Sequence, residues 1–225
     1  MRGVKALAPN EKRSEESTRN AGLLSYNNPQ SYVAEHYRRI RNNIRFASGN
    51  ERIGMLVITS PAEGDGKTTV AVNLAITLAL QGERVLVVDA NMRSPLIHMI
   101  FNIKSWPGLS DVLANHNDLD DVTQNTMIDN LSILPSGSNI FNTIDKLDSQ
   151  AMASLLDRAT GNYDAVIFDC SSVPAADALL LANKADGTLL VVNRKTKQQT
   201  IQEALNQLKY AKASLLGTVL NRSKT

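Results

Sequence analysis

Met55-Leu-Val-Ile-Thr-Ser-Pro-Ala-Glu-Gly-Asp-Gly-Lys-Thr-Thr69 is the stretch that decides the fold. An apolar run passes into a loop with two glycines, then into Lys67-Thr68-Thr69, which opens a helical pattern over Thr68 to Leu80 closed by Gly82. A strand that feeds a glycine-bearing loop and then a helix is the setting a phosphate loop requires. Gly64 and Gly66 let backbone N–H groups turn inward on phosphate oxygens, Lys67 can reach the β and γ oxygens, and the Thr68 hydroxyl is placed to bind Mg²⁺. The helix N-terminus adds its dipole. One position departs from G-x-x-x-x-G-K-[ST]: Pro61 stands where the first glycine would be.

Outward from this loop, short apolar runs recur at Val85 to Asp89, Leu131 to Leu134, Ala165 to Asp169, Thr188 to Val192 and Leu215 to Leu220. Helical patterns lie between them, notably Ala151 to Ala159 closed by Gly161, and Thr200 to Ala211. Strands with nearly continuous apolar character, alternating with helices, predict an α/β P-loop NTPase: a mostly parallel central sheet with helices on both faces. Ligands of such sheets sit beyond the carboxyl ends of the strands. Two of those ends carry acids, Asp89 and Asp169, each able to hold Mg²⁺ directly or through water.

Residues 1–30 are polar, mixed in charge and contain Asn27-Asn28-Pro29, so a flexible arm is expected there, with the P-loop domain occupying 31–225. From Ser31, Val33, Tyr37, Ile40 and Ile44 recur at helical spacing, with Glu35, Arg38, Arg41 and Arg45 on another face. The 225 residues carry 24 basic and 22 acidic side chains, a net charge of +2, which is too balanced for a dedicated electrostatic nucleic-acid binder. Its aromatic residues form no basic, aromatic-interleaved strip, so no nucleic acid is expected as a partner. The longest apolar stretch, Ala71 to Leu80, is interrupted by Asn73 and Thr77 and is too short for a bilayer span. The single cysteine, Cys170, has no intrachain disulfide partner and no activating neighbour, so it reads as a small buried residue in a reducing, cytosolic setting. His36, His98 and His116 lack metal-ligand spacing.

The ordered set of motifs is Glu35-x-x-Arg38-x-x-Arg41, Ser60-Pro-Ala-Glu-Gly-Asp-Gly-Lys-Thr68, Val88-Asp-Ala-Asn-Met-Arg-Ser-Pro95 with His98, Gly108-Leu-Ser-Asp-Val-Leu113, Tyr163-Asp-Ala-Val-Ile-Phe-Asp169 and Gly217-Thr-Val-Leu-Asn221. Over about residues 31 to 222 it resembles the cytoplasmic kinase module of the bacterial tyrosine kinases that regulate capsule and exopolysaccharide synthesis. The resemblance implies an ATP-dependent protein-tyrosine kinase with ATP and Mg²⁺ as cofactors and a tyrosine-bearing protein as substrate. By that likeness Glu63, Gly64, Asp65, Gly66, Lys67, Thr68 and Thr69 form the nucleotide loop, and Asn221 falls where related proteins contact adenine. Thr68, Asp89 and Asp169 go with the metal, while Lys67, Asp89, Asn91, Arg93 and Asp169 form the catalytic set. It further implies a transmembrane activator of the polysaccharide co-polymerase type, which would hold the chain at the cytoplasmic face of the membrane, and self-association through Glu35, Arg38 and Arg41. An exposed ion pair on a solvated helix face is the plainer reading of those three charges.

Three departures bear on activity. The family's Asp-x-Asp-x-Arg reads Asp89-Ala-Asn91-Met-Arg93, and a carboxamide cannot act as a general base. The family's Thr-Pro-Pro after the third motif is Cys170-Ser171-Ser172. Only a few residues follow Asn221, where the family carries a tyrosine-rich tail, so little autophosphorylation is expected. Of the five tyrosines, Tyr37 is expected on the apolar helix face, Tyr163 and Tyr210 in constrained positions, and Tyr26 in the arm as the one mobile acceptor. The departures keep a catalytically weakened, ATP-binding regulator open as the alternative function. A partition or division-site ATPase is disfavoured, because the first lysine of its Lys-Gly-Gly-x-Gly-Lys-[ST] loop is Ala62 here.

Overall fold

The computed structural model describes residues 17, 20–49, 52–138 and 142–221. Its centre is a seven-stranded sheet built from β1 (Met55–Thr59), β2 (Val85–Asp89), β3 (Gln124–Asn125), β4 (Leu131–Leu134), β5 (Ala165–Asp169), β6 (Gly187–Asn193) and β7 (Leu215–Asn221). The order is β3-β4-β2-β5-β1-β6-β7. Every pairing is parallel except the short β3–β4 edge. The sheet needs cover on both faces because alternate side chains of each central strand point opposite ways. Leu56, Ile58, Val85, Val87 and Ile167 pack into one apolar cluster, while Met55, Val57, Leu86, Val88, Val166 and Phe168 pack into the other.

The first face is covered by α3 (Lys67–Ala79), through Val70, Leu74 and Ile76, and beyond it by α2 (Tyr32–Ala47). The second face is covered by α8 (Gln150–Asn162), α9 (Ala176–Lys184) and α10 (Gln198–Tyr210), which contribute Leu155, Leu181 and Leu208. Four shorter helices, α4 (Ile97–Phe101), α5 (Leu109–Leu113), α6 (Leu119–Val122) and α7 (Thr143–Leu147), fill the connections. Among the described residues no helix is long and apolar enough to cross a membrane.

Five local expectations are corrected. The helix placed over Ala151 to Ala159 runs from Gln150 through Gly161 to Asn162, ending as Tyr163 N–H bonds the Ala159 carbonyl at 2.9 Å. An isolated glycine in an exposed last turn costs only about 1 kcal/mol, too little to stop a helix whose other face is buried. On α2 the buried stripe is Ala34 and Tyr37 flanked by Ile40 and Ile44, and Val33 lies off it, exposed. Strands β6 and β7 reach Asn193 and Asn221, which pair with each other, because backbone bonding continues past the apolar run.

Composition placed residues 20–30 in a flexible arm, but residues 21–25 are packed on the domain, while 26–30 are exposed. Here α1 (Leu24–Asn27) follows Leu23, which inserts into the first apolar cluster. Asn73 of α3 accepts a hydrogen bond from Ser25 N–H at 2.8 Å and donates one to the Ala21 carbonyl at 3.0 Å. A single leucine and one buried carboxamide thus order a segment whose average polarity argues for none. Residues 1–16 and 18–19 lie outside the described residues.

Tyr210, expected to be constrained, is 91% exposed. Its helix buries Ala204 and Leu208, and two residues beyond Leu208 is about 200° around the axis, facing solvent. Tyr32 is also exposed, Tyr26 sits in α1, Tyr163 is half-buried against the second cluster and Tyr37 is buried as expected.

Candidate active site

The phosphate loop crosses the carboxyl edge of the sheet between β1 and α3. Its shape comes from its own polar groups: the Ser60 hydroxyl donates to the Ala62 carbonyl at 2.7 Å, and Asp65 Oδ2 accepts from Ala62 N–H at 3.0 Å. Asp65 Oδ1 accepts from the Thr196 hydroxyl at 2.7 Å, tying the loop to the segment after β6. Asp65 is buried and both carboxylate oxygens are used, so this side chain shapes the loop. Gly64 and Gly66 have φ of +81° and +93°, the left-handed region that costs a side-chain-bearing residue about 1 kcal/mol or more. A Cβ at Gly66 would also collide with the Asn221 side chain, whose Nδ2 donates to the Asp65 carbonyl at 3.1 Å. Asn221 therefore borders the loop from the end of β7. Glu63 is exposed at the loop tip and Thr69 is half-buried at the helix start.

Lys67 and Thr68 begin α3 and are buried despite their polarity. Both lie beside Asp169, whose carboxyl burial pushes above the usual carboxylate range, while the Lys67 charge and the Thr68 hydroxyl pull it back. Asp169 pairs in register with Asp89 on the adjacent strand, and both are fully buried. Burial first, and the charge of Asp169 second, hold the Asp89 carboxyl well up. Asp89 Oδ2 accepts from Leu96 and Ile97 N–H, each at 3.1 Å. Asp89 Oδ1 and both oxygens of Asp169 meet no donor in hydrogen-bonding geometry, the Thr68 hydroxyl acting on Asp169 from outside it.

Three unpartnered carboxylate oxygens in one buried place are costly unless a cation joins them. The set therefore fits Mg²⁺, a hard ion that takes one or two carboxylates and fills its shell with water and phosphate. Among the described residues no group of three or more His, Cys, Asp or Glu side chains forms a metal cage. A nucleotide-bound Mg²⁺ needs none.

The other expected residues separate. Asn91 is buried beside this centre, with Nδ2 donating to the Ser94 carbonyl at 2.9 Å. Arg93 points to the surface. Cys170 is buried and its thiol is pushed far up by burial and the surrounding carboxylates, consistent with an inert packing role. Glu35, Arg38 and Arg41 sit apart on α2. Arg38 Nε bonds Glu35 Oε2 at 2.9 Å and its Nη1 donates to the Pro29 carbonyl at 2.8 Å, while Arg41 reaches the Thr77 carbonyl at 3.4 Å.

Sequence reasoning missed Thr196 and Asp177 and met Ser171 only as part of the Cys170-Ser171-Ser172 departure, without its partners. Thr196 carries no motif, and Asp177 reads as an ordinary acid in a helix's first turn. Its burial to 1% exposure is a tertiary fact.

The chain matches the family model described as an AAA domain over residues 55–216. It is 37% identical over 204 residues to the tyrosine-protein kinase YwqD of Bacillus subtilis (strain 168), covering 90% of this chain and 86% of that protein. The crystal structure of the chimerical protein CapA2B2 superposes with a TM-score of 0.87 at 36% identity, covering 91% of each chain. The kinase domain of the Escherichia coli tyrosine kinase ETK does so with 0.85 at 26% identity, covering 90% of this chain and 81% of that one. A more distant likeness, with a TM-score of 0.63 at 27% identity over 74% of this chain and 69% of the other, is to the septum site-determining protein MinD of Pyrococcus horikoshii OT3 complexed with Mg-ADP. With its phosphate loop, paired strand-end acids and helix order in place, the chain belongs to the bacterial tyrosine-protein kinases, built on a P-loop ATPase scaffold.

Proposed function

We propose that this chain transfers the γ-phosphoryl group of ATP to a tyrosine hydroxyl of a protein engaged in capsular or extracellular polysaccharide synthesis. The observation that carries the reading is the buried constellation of Lys67 and Thr68 at the start of α3 facing Asp89 and Asp169, with three carboxylate oxygens unpartnered. Thr68, Asp89 and Asp169 would hold Mg²⁺, which when bound neutralises charge on the β and γ phosphates. The turn at Gly64 and Gly66 and the α3 N-terminus bind phosphate oxygens, with Asn221 bordering the loop on the nucleoside side. Lys67 stabilises charge on the transferred group in a water-poor setting. Asp89, with Oδ2 held by two N–H groups and Oδ1 free, is the carboxylate that assists the attacking hydroxyl. Arg93, at the surface next to Asn91, faces the incoming protein substrate.

The same reading includes a transmembrane activator of the polysaccharide co-polymerase type, docking at the cytoplasmic face, and a subunit contact made by Glu35, Arg38 and Arg41. Tyr210 and Tyr32, both exposed, are the acceptors most open to a neighbouring molecule. One observation favours a second reading, a weakened regulator: Asn91 stands where the family has an acid, and both ends of its carboxamide are engaged. The test is incubation with γ-labelled ATP, Mg²⁺, the activator's cytoplasmic tail and a tyrosine-bearing substrate, with Lys67→Met as control. Label on tyrosine that is lost in the control is expected. Nucleotide binding without any tyrosine label overturns the kinase reading in favour of the regulator.

A further inference from the structure

Asn91 and Ser171 are both departures from the family's motifs, 80 positions apart in sequence, and they touch. The Ser171 hydroxyl lies 3.2 Å from Asn91 Oδ1 and 3.0 Å from Asp177 Oδ2, facing an acceptor on each side. All three side chains are buried, with exposures of 6%, 6% and 1% for Asn91, Ser171 and Asp177. The remaining polar atoms are engaged as well. Asn91 Nδ2 donates to the Ser94 carbonyl at 2.9 Å, and Asp177 Oδ1 accepts from Ala178 N–H at 3.0 Å. The backbone holds Ser171 from below, its carbonyl accepting from the Thr59 hydroxyl at 2.7 Å at the root of the phosphate loop. A proline at 171, as in the family's Thr-Pro-Pro, has no hydroxyl and could make neither side-chain bond.

We propose that Asp177 is a positioning residue of this site: acting through Ser171, it fixes the Asn91 carboxamide and with it the turn from Asp89 to Ser94, so that the two departures work as one unit. The proposal rests on the kinase reading above and adds to it a residue that touches neither nucleotide nor metal. The orientation follows from counting hydrogens. Only the amide oxygen of Asn91 can accept from Ser171, and only its NH₂ can donate to Ser94, so the network admits a single flip state. Ser171 has one hydroxyl hydrogen for its two acceptors, so Asn91 Oδ1 and Asp177 Oδ2 share it as a three-centre bond, and Asp177 acts on Asn91 by fixing where that hydroxyl sits. Residues held this way hold the neighbouring Asp89 as well, because Asn91 is two residues along from it and Asp89 Oδ2 depends on the N–H groups of Leu96 and Ile97 just past the turn.

The test is a double-mutant cycle on the full chain with Ser171→Ala and Asp177→Ala, read as kcat and KM for MgATP and for the tyrosine substrate. Each single change is expected to lower kcat by about tenfold while KM for MgATP stays within about twofold. The double variant should be no worse than Ser171→Ala alone, because Asp177 reaches Asn91 only through that hydroxyl. Ser171→Thr, which keeps the hydroxyl, should restore most of kcat. Losses that multiply to about a hundredfold in the double variant would show two unrelated structural roles and overturn the proposal. Amide hydrogen exchange supplies a readout that needs no turnover and survives if Asp177→Ala does not fold. Ser171→Ala alone should raise exchange over residues 90–96 and leave 60–70 unchanged, and unaltered exchange over 90–96 overturns the coupling. A wild-type chain that labels no tyrosine defeats the kinase reading, and the exchange result still decides whether the three residues act as a unit.

Discussion

Replacing Asn73 with alanine tests how residues 20–27 come to be part of the domain. Asn73 is fully buried on α3 and supplies both bonds that pin the segment, accepting from Ser25 N–H at 2.8 Å and donating to the Ala21 carbonyl at 3.0 Å. Two neutral hydrogen bonds are worth about 1 kcal/mol each, and a Ser25 N–H left buried without a partner adds about 1–3 kcal/mol. The segment can escape that penalty by undocking, but Leu23, now 4% exposed, then gives up about 2 kcal/mol of apolar burial. Both routes converge on a loss of about 4 kcal/mol, or about 8–16 °C in Tm for a chain of this length. Urea unfolding gives the free energy, and hydrogen exchange at the Ser25 amide separates the routes, since only undocking exposes it. A change below about 0.5 kcal/mol with unaltered Ser25 exchange would refute the argument and return the segment to the arm that its composition suggests.

Gly66→Ala should reduce MgATP affinity by at least about tenfold, because a φ of +93° disfavours any Cβ and this one meets Asn221, displacing the bond that closes the loop. Titration with a fluorescent ATP analogue measures it, and affinity within twofold of wild type contradicts the loop geometry. Asp164 bonds the Arg84 guanidinium and backbone N–H and pairs with Arg52, which holds its carboxyl down at about 2. A folded pKa below the unfolded value means stability that is present above about pH 4 and lost as pH falls toward 2. After discounting for a side chain that is 31% exposed, Asp164→Asn should cost about 1 kcal/mol at pH 7, and the difference should vanish near pH 2. Equal stability of the two proteins at pH 7 counts against the pairing. Arg38→Ala with Arg41→Ala should shift sedimentation at saturating MgATP toward smaller species if these residues form the subunit contact. Since Arg38 spends its bonds on Glu35 and the Pro29 carbonyl within one chain, an unshifted distribution with under about 1 kcal/mol of lost stability would leave them a solvated pair.

What sequence revealed and what it hid divide along the range of the forces involved. β1, β2, β4 and β5 were legible to the residue because each is an apolar run, and three of them end at the polar residues Thr59, Asp89 and Asp169. β3 was invisible: two polar residues, Gln124 and Asn125, pair at the edge through their backbone, and the Gln124 side chain bonds Lys104. The loop and its acids were equally legible, since contiguous residues at strand ends must converge once the strands are parallel and adjacent. Partners brought together by the fold alone were not. Thr196 reaches Asp65 across 131 positions and Ser171 reaches Asn91 across 80, and neither pair has a local pattern to announce it.

The same division explains why the site's chemistry is harder to read than its place. A parallel sheet delivers Asp89 and Asp169 side by side whatever surrounds them, so the pairing of these two acids follows from topology. Whether position 91 helps or hinders transfer depends on where one carboxamide points, and that is set by a serine and an aspartate from beyond β5. The replacement of an acid at 91 removes a proton acceptor, yet the structure puts a carboxylate one hydroxyl away from it. Loss of a base and gain of a rigid anchor therefore occur at the same residue. Their balance acts on kcat through the Asp89–Ser94 turn and leaves the phosphate loop, built by its own bonds, to bind nucleotide unaided.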